Sequence, residues 1–247
     1  MPSYTREINF EAIINCRDLG GYRAQGKRTV AQRRLFRSGY IHPMTDSDLH
    51  RLKEELKLTA VIDLRGKKDK QQLKEISLLN STGIKYFNTP FLSYQKEELN
   101  YDFTDMGEAF LFRIRHQEYG RPIIAALEII ADPKNYPLLF HCGAGKDRSG
   151  LLAAFVLSVL GVADADIIAD YVLSAHHMKD VVTTLMKDPE TPADIKNLPA
   201  YTWEATAVSM ALFLSGLKRE FGSIREYLEM NGAETSLFNR LEKALLI

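Results

Sequence analysis

Short apolar runs alternate along the chain with longer segments in which apolar and charged positions are mixed. The short runs have the length of buried strands, and the longer segments have the spacing of helices that bury one face. Strands are predicted at residues 34–37, 60–64, 84–88 and 138–141. Helices are predicted at residues 45–56, 67–79, 123–131, 149–160, 164–186, 204–220, 224–230 and 234–246. This alternation predicts an α/β fold with a central, mostly parallel sheet flanked by helices.

Local signals set several of these boundaries. Thr45 precedes the first helix and Asp48 occupies its third position, a pairing typical of a helix start. Pro133 ends the helix at 123–131, and Gly161 ends the apolar helix at 149–160. Residues 13–22 are predicted to be a loop with a Gly-Gly turn.

Residues 92–120 carry aromatic side chains among charges and predict a helical insertion rather than sheet. Two roles for this insertion stay open: its aromatic residues belong to the core, or they cover the functional site as a lid. The remaining chain shows no second composition, so residues 1–247 are predicted to form a single domain with this insertion.

Composition narrows the class of protein. The 247 residues are 45% hydrophobic and 26% charged, with a formal net charge of zero. A formal net charge of zero does not indicate a surface that binds nucleic acid. No apolar run is long enough for stable membrane insertion. The two cysteines fit a reducing compartment, and the first ten residues lack a secretory signal pattern. A cytoplasmic location is expected, and export without a cleavable signal stays open.

The segment 141–150, His-Cys-Gly-Ala-Gly-Lys-Asp-Arg-Ser-Gly, carries the candidate chemistry. Cys142 and Arg148 bracket five residues between a predicted strand and a predicted helix. Backbone N–H groups in such a loop, at a helix N-terminus, favour a bound anion and the thiolate form of a cysteine. Arg148 offers a planar pair of donors for two phosphoryl oxygens. The pattern predicts cleavage of phosphate monoesters through a cysteinyl-phosphate intermediate.

The remaining residues of this segment suit the same chemistry. Ser149 can donate a hydrogen bond to the thiolate, and His141 can hold the loop by donating to a carbonyl. A nucleotide-binding P-loop is excluded because Phe140 and Asp147 stand where that motif needs glycine and Ser or Thr. No spacing typical of metal ligands was found, so neither metal nor cofactor is expected. The predicted phosphate cradle is Gly143, Ala144, Gly145, Lys146, Asp147 and Arg148.

The loop resembles that of the cysteine-dependent protein tyrosine phosphatase superfamily. Its Gly-Lys-Asp-Arg core is similar to the atypical bacterial branch, the tyrosine/phosphoinositide phosphatases of the Mycobacterium protein tyrosine phosphatase B and Listeria lipid phosphatase type. Three further segments resemble the same branch: Asn-Cys-Arg-Asp-Leu-Gly-Gly-Tyr at 15–22, Leu-Phe-Arg-Ser-Gly at 35–39 and Val-Ile-Asp-Leu-Arg at 61–65. The match spans 15–150, with one departure, Cys16 in place of an aromatic residue.

The resemblance implies a phosphatase-like fold without metal or cofactor. The implied substrates are proteins that carry phosphotyrosine. Proteins that carry phosphoserine or phosphothreonine, and phosphoinositides, are further implied substrates. The alternative function is a phosphate-binding or phosphoprotein-binding module without turnover.

Two residues are candidates for the general acid that protonates the leaving group. The only tryptophan, Trp203, precedes Glu204, so the separate Trp-Pro-Asp loop of conventional tyrosine phosphatases is absent. The resemblance implies that Asp147 is the general acid. Asp63 at the end of a strand is the alternative, and it could instead orient Arg148 through a salt bridge.

Lys146 and Cys16 have two interpretations each, and the remaining candidate positions have one. Lys146 either adds a charge for substrates with several phosphates or is simply solvated. Asn15, Arg17 and Asp18 are expected to brace the loop from beneath rather than to contact substrate. The acidic residues at 164, 166 and 170 are interpreted as helix-capping. Cys16 either fills an apolar position or traps oxidised Cys142 as a disulfide.

Overall fold

A computed structural model describes residues 5–41, 44–66, 70–90, 102–187 and 196–247. Five strands form one sheet in the order β1-β2-β5-β3-β4, and every pairing is parallel except that of β1 with β2. The strands are β1 Arg17–Asp18, β2 Leu35–Ser38, β3 Ala60–Asp63, β4 Lys85–Asn88 and β5 Leu138–His141. The predicted α/β fold with a mostly parallel central sheet is therefore confirmed.

The parallel register brings three strand ends together. His141, the last residue of β5, lies opposite Ser38 of β2 on one side and Asp63 of β3 on the other. Ligands of open parallel sheets bind beyond the carboxyl ends of the strands. The residues that follow β5 therefore begin at the functional edge of the sheet.

Both faces of the sheet are covered, because successive side chains of each strand point to opposite faces. Leu138 and Phe140 of β5 belong to the larger apolar cluster, whereas Leu139 between them belongs to a smaller one. Val61 and Phe36 also point into the smaller cluster. This alternation makes the central strands apolar on both sides, which explains their continuous apolar runs.

Helices pack on both faces. The smaller cluster lies under the helices that begin at Asp46 and at Lys70. Most other described helices pack against the larger cluster. Thr45 and Asp48 form the reciprocal cap predicted for the first helix. The helices are α1 Asp46–His50, continued as a π-helical turn Arg51–Glu55, α2 Lys70–Ser81, α3 Met106–Ile114, α4 Gln117–Ala131, α5 Asp147–Val159, α6 Asp164–Val172, α7 Ala175–Lys187, α8 Ala207–Phe221, α9 Ile224–Met230 and α10 Thr235–Leu245.

The single helix predicted over 164–186 is wrong, since α6 ends at Val172 and α7 starts at Ala175. The buried side chain of Arg17 donates to the carbonyl of Asp170 at 2.8 Å and to the hydroxyl of Ser174 at 3.2 Å. The amide of Ser174 bonds instead to the carbonyl of Tyr171 at 3.1 Å. A distant arginine therefore takes the carbonyl that a continuous helix would use.

Residues 92–101 of the predicted insertion at 92–120 lie outside the described residues. Residues 106–114 are helical, as predicted, and Phe110 is fully buried. Its ring makes edge contacts with Tyr171 and Phe213, so this aromatic residue belongs to the core. Within the described ranges, no helix combines the length and the apolar character needed to cross a membrane.

Candidate active site

The loop between β5 and α5 is shaped by one glycine. Gly145 has φ +71°, and a Cβ built there would lie 2.5 Å from the backbone nitrogen of Gly39 and 2.6 Å from the carbonyl carbon of Ser38. No other residue type fits this approach, because both neighbours are backbone. The loop therefore packs directly against the end of β2 before α5 begins at Asp147.

Cys142 lies at the base of this loop and is 2% exposed. The hydroxyl of Ser149 donates to its Sγ at 3.2 Å. The first N–H groups of a helix have no acceptor within the helix, and its N-terminus carries partial positive charge. Cys142 thus lies beside the first turn of α5, at the end of the helix that favours a bound anion.

Arg148 lies in the first turn of α5 and borders the same loop. Its Nη1 donates to the carbonyl of Leu64 at 3.4 Å. Its Nη2 lies 3.9 Å from the position that a Cβ on Gly143 would take, and the hydroxyl of Tyr40 lies 3.5 Å from that position. Arg148 and Tyr40 therefore flank Gly143, the residue that follows Cys142. Tyr40, 44% exposed, was not singled out from the sequence.

Asp63 does not pair with Arg148. It is buried and accepts hydrogen bonds from Arg65 at 2.8 and 2.9 Å and from the hydroxyl of Tyr86 at 2.8 Å. Burial by itself raises the pKa of Asp63, but the bonds from Arg65 and nearby positive charge outweigh it and hold that pKa well below its usual range. Asp63 is thus fully buried and its carboxylate is bound by Arg65, which makes it a less suitable proton donor than an accessible carboxyl group.

His141 belongs to the same buried group. Its Nε2 lies 3.1 Å from Oε1 of Glu75, and its Nδ1 lies 3.3 Å from the carbonyl oxygen of Cys142. Asp63, Glu75 and His141 place one ligand atom each within 4.8 Å of one another. The guanidinium of Arg65 already binds both carboxylates, at 2.8 and 2.7 Å. The Arg65 guanidinium therefore already occupies the place of a cation beside Asp63 and Glu75. For this reason the group of Asp63, Glu75 and His141 does not fit a metal ion.

Two buried side chains hold the loop from beneath. The amide of Asn15 donates to the carbonyl of Ala144 at 2.9 Å, and Arg37 donates to the carbonyl of Gly145 at 2.7 Å. Arg17 donates to the side-chain oxygen of Asn15 and so fixes its orientation. Asn15 and Arg17 thus lie where the sequence analysis expects braces.

Asp18 does not reach the loop. Its carboxylate accepts from the backbone N–H of Gly20 at 2.7 Å and from that of Arg33 at 2.5 Å. It shapes the Gly-Gly turn instead, so its predicted role as a brace of the loop is wrong. An aspartate two residues before glycine commonly makes such a turn.

Asp170 is a brace that the sequence analysis misses. This buried carboxylate binds Arg17 at 2.9 Å and Arg37 at 2.5 Å, so it joins both arginines behind the loop. The interpretation of Asp170 as a helix cap is wrong. A signal was present in the sequence: Asp170 follows Ile167 by three residues and precedes Tyr171, which places a charge on the apolar face of α6.

We expect Asp170→Asn to lower the free energy of unfolding by about 3 kcal/mol, because two buried guanidinium groups lose their shared anion. Burial raises the pKa of Asp170, but the charges of Arg17 and Arg37 lower it to about 2. The stabilisation is therefore complete above about pH 5 and is lost as the pH falls towards 2. Urea unfolding of wild type and variant between pH 3 and 7 measures this difference.

The control for this variant is Asp166→Asn on the same helix, where the side chain is only half-buried. It should cost less than about 1 kcal/mol, the usual size of a helix-terminus effect. A gap between wild type and Asp170→Asn that stays constant down to pH 3, or that grows on acidification, would contradict the assignment.

Lys146 does not point into the cradle, and it is not solvated. The side chain is fully buried, and its Nζ donates to the carbonyls of Thr202 at 2.5 Å and Glu204 at 2.8 Å. It also lies 3.1 Å from Oδ1 of Asp147. The side chain of Asp147 is 29% exposed, so it retains access to the site. Neither predicted reading of Lys146 is correct.

The two cysteines occupy different apolar clusters. Cys16 packs with Phe36 and Leu139 in the smaller cluster, and Cys142 belongs to the larger one. Burial raises the pKa of the Cys16 thiol to about 12. A thiol that stays protonated attacks an oxidised sulfur slowly. The structure therefore favours the reading of Cys16 as an apolar packing residue.

Comparison with known proteins gives one family over nearly the whole chain. The tyrosine phosphatase family matches residues 8–247. A Cupriavidus necator protein whose name assigns it provisionally to the tyrosine-protein phosphatases is 32% identical over 184 residues, 68% of this chain and 63% of that protein. A tyrosine-protein phosphatase of Nostoc commune is 29% identical over 147 residues, 58% of this chain and 49% of that protein. The chain thus spans about half to two thirds of these relatives.

Two further similarities are more distant. Triple specificity protein phosphatase PtpB of Mycobacterium tuberculosis is 27% identical over 121 residues, 44% of each chain. Among solved structures, the core catalytic domain of the PP-IP phosphatase Siw14 of S. cerevisiae aligns with a TM-score of 0.42 and 22% identity, covering 68% of this chain and 88% of that one.

Proposed function

Because this chain belongs to the tyrosine phosphatase family, we propose that it hydrolyses phosphate monoesters by a metal-independent route through a cysteinyl-phosphate intermediate. One observation carries the proposal: the hydroxyl of Ser149, in the first turn of α5, lies 3.2 Å from the Sγ of Cys142 and 3.3 Å from the carbonyl oxygen of Ser38, so it can donate to the sulfur. This arrangement supplies a nucleophile, an anion site above it and a donor for the departing thiolate. A module that only binds phosphate needs the anion site alone.

In the first step, the thiolate of Cys142 attacks phosphorus, and the bond between phosphorus and the leaving oxygen breaks. Asp147 donates the proton that this oxygen takes up. Arg148 binds two of the remaining phosphoryl oxygens as charge moves onto them. In the second step, Asp147 takes a proton from water, the water oxygen attacks phosphorus, and the phosphorus–sulfur bond breaks. Ser149 donates to the sulfur as it leaves with the electron pair, and inorganic phosphate is released.

The proposed substrates are proteins that carry phosphotyrosine, with phosphoserine, phosphothreonine or phosphoinositides as further candidates. A release assay for inorganic phosphate, with a peptide or lipid of each type, compares wild type with Cys142→Ser. Turnover by wild type that disappears in the variant supports the proposal. A wild-type protein that binds phosphate and turns over none of the panel would identify a binding module instead.

Asp147→Asn should slow turnover by roughly a hundredfold or more on phenyl phosphate, a poor leaving group, because its oxygen needs a proton. On 4-nitrophenyl phosphate, whose phenolate leaves readily, the loss should stay below about tenfold. The measurement is kcat for a series of aryl phosphates of increasing phenol acidity. Losses of equal size across the series would mean that Asp147 shapes the loop and donates no proton.

We further propose that residues 1–247 act as one phosphatase domain with the insertion at about 92–120 as a helical lid, of which residues 92–101 lie outside the described residues. The described part of this insertion, α3, packs against α8 in the larger apolar cluster. A cytoplasmic site of action is part of the same proposal, because a catalytic thiol must stay reduced to function.

A further inference from the structure

One interpretation of Lys146 from the sequence is a charge for substrates with several phosphates, yet its ammonium is directed elsewhere. A lysine ammonium has three protons to donate. The Nζ of Lys146 has three oxygens within reach: the carbonyls of Thr202 and Glu204 at 2.5 and 2.8 Å, and Oδ1 of Asp147 at 3.1 Å. Two hydrogen bonds to carbonyls and one ion pair therefore hold the ammonium inside the protein, and its side chain is 0% exposed.

The carbonyls that Lys146 binds belong to a defined piece of chain, residues 200–204, which we name the 200–204 segment. It comprises the 3₁₀ turn Ala200–Trp203 and Glu204. Tyr201 packs against the larger apolar cluster, and α8 begins shortly afterwards at Ala207. Lys146 is thus the link between the loop that holds the nucleophile and a segment almost sixty residues further along the chain.

The same ammonium fixes one side of Asp147. Oδ1 of Asp147 is buried, and no described residue other than Lys146 is seen to pair with it. On the neighbouring helix, Tyr171 is buried beside Gly150, and its pKa is raised by burial and by the negative charge of Asp147. Since Oδ1 is enclosed, the exposed surface of this side chain lies on its other atoms. A proton transferred to a substrate would pass through Oδ2.

We propose that Lys146 is a positioning residue that fixes Asp147 and ties the 200–204 segment to the loop, and that it does not contact the substrate. This inference rests on the proposed function, because Asp147 matters as an acid only if the chain turns over phosphate esters. It also changes the expected substrate class: Lys146 provides no charge for a second phosphate, so selectivity for multiply phosphorylated substrates does not come from this lysine.

Amine labelling of the wild-type protein tests the orientation directly and needs no variant. The folded protein is treated briefly with acetic anhydride, with and without saturating inorganic phosphate, and each lysine is followed by mass spectrometry. Lys146 should stay unlabelled in both samples, while the exposed Lys243 is labelled in both. Labelling of Lys146 that inorganic phosphate suppresses would place the ammonium in the cradle and overturn the proposal.

Kinetics of Lys146→Met test the positioning role, with Lys243→Met as the matched control. We expect Lys146→Met to lower kcat on phenyl phosphate by roughly ten- to a hundredfold, the usual cost of a displaced catalytic group, with little change in KM or in the dissociation constant of inorganic phosphate. Adding Lys146→Met to Asp147→Asn should cause little further loss, because the acid that Lys146 positions is already absent. Lys243→Met should behave as wild type.

Three results would overturn the positioning role. They are an increase of KM or of the phosphate dissociation constant with kcat unchanged, a loss confined to substrates with two phosphates, and wild-type kinetics in Lys146→Met. If Lys146→Met does not fold, the labelling experiment alone decides between a buried and a cradle-facing lysine. Absence of wild-type turnover on every aryl phosphate would refute the proposed function, whereas the labelling would still report the orientation of Lys146.

Discussion

Cys142→Ser should lower turnover on every phosphate ester by at least about a thousandfold, because the hydroxyl that replaces the thiol is a far weaker nucleophile at neutral pH. Binding of inorganic phosphate should survive, since the loop backbone and Arg148 remain. Acid quenching of the wild-type reaction with a ³²P-labelled substrate should trap label on the protein at Cys142. The variant should trap none.

The other cysteine provides the control. Cys16 is buried in the smaller apolar cluster, so Cys16→Ala should keep both turnover and trapped label close to wild type. Turnover by Cys142→Ser within a hundredfold of wild type would contradict the covalent route, even if the loop still binds phosphate. Loss of phosphate binding in the same variant would show that Sγ is part of the anion site itself.

Arg148→Lys should be nearly as damaging as Arg148→Ala, with kcat/KM lowered by at least about a hundredfold in both. Lysine keeps the charge but loses the planar pair of donors that fits two phosphoryl oxygens. Nη1 of Arg148 lies 3.4 Å from the carbonyl of Leu64, so one side of the guanidinium is positioned by the end of β3. An ammonium has no second nitrogen with which to keep that contact and also bind phosphate.

The matched control is Arg121→Lys, an exposed position on α4, which should leave kcat/KM unchanged. Steady-state rates with 4-nitrophenyl phosphate and inhibition by inorganic phosphate give the two required numbers. If Arg148→Lys retained more than about a third of wild-type kcat/KM while Arg148→Ala lost activity, charge alone would explain the clamp and the two-pronged geometry would be irrelevant.

Much of the fold could be predicted because its central elements are locally encoded. The strand Leu138–His141 has its predicted bounds, β3 and β4 differ from the predictions by one residue at one end, and β2 is shifted by one residue at both ends. Strands buried on both faces produce short continuous apolar runs, which stand out between charged helices. The two-residue strand Arg17–Asp18 could not be found in this way, because it is polar and too short to show any period.

The functional loop was predictable for a related reason: its residues are contiguous, so their spacing appears in the sequence. Its supports are not contiguous. The partners of Lys146 are backbone carbonyls 56 and 58 residues away, and carbonyls leave no trace in residue identity. Asp63 shows the same limit, because its position at a strand end was correct while its partner proved to be Arg65 rather than Arg148. The place of a residue in a strand or loop can be predicted from the sequence pattern. Its polar partner depends on how distant parts of the chain pack together.

The brace behind the loop has a consequence for how the protein is made. Arg17 and Asp170 are separated by 153 residues, and Asn15 and Ala144 by 129. Contacts of such long range form late, after much of the chain is available. Cys142 and Arg148 leave the ribosome before Asp170, the residue that joins the two bracing arginines. We therefore expect phosphatase activity to appear only after α6 has docked. Until then, the nascent chain should contain the whole segment 141–150 and yet be inactive.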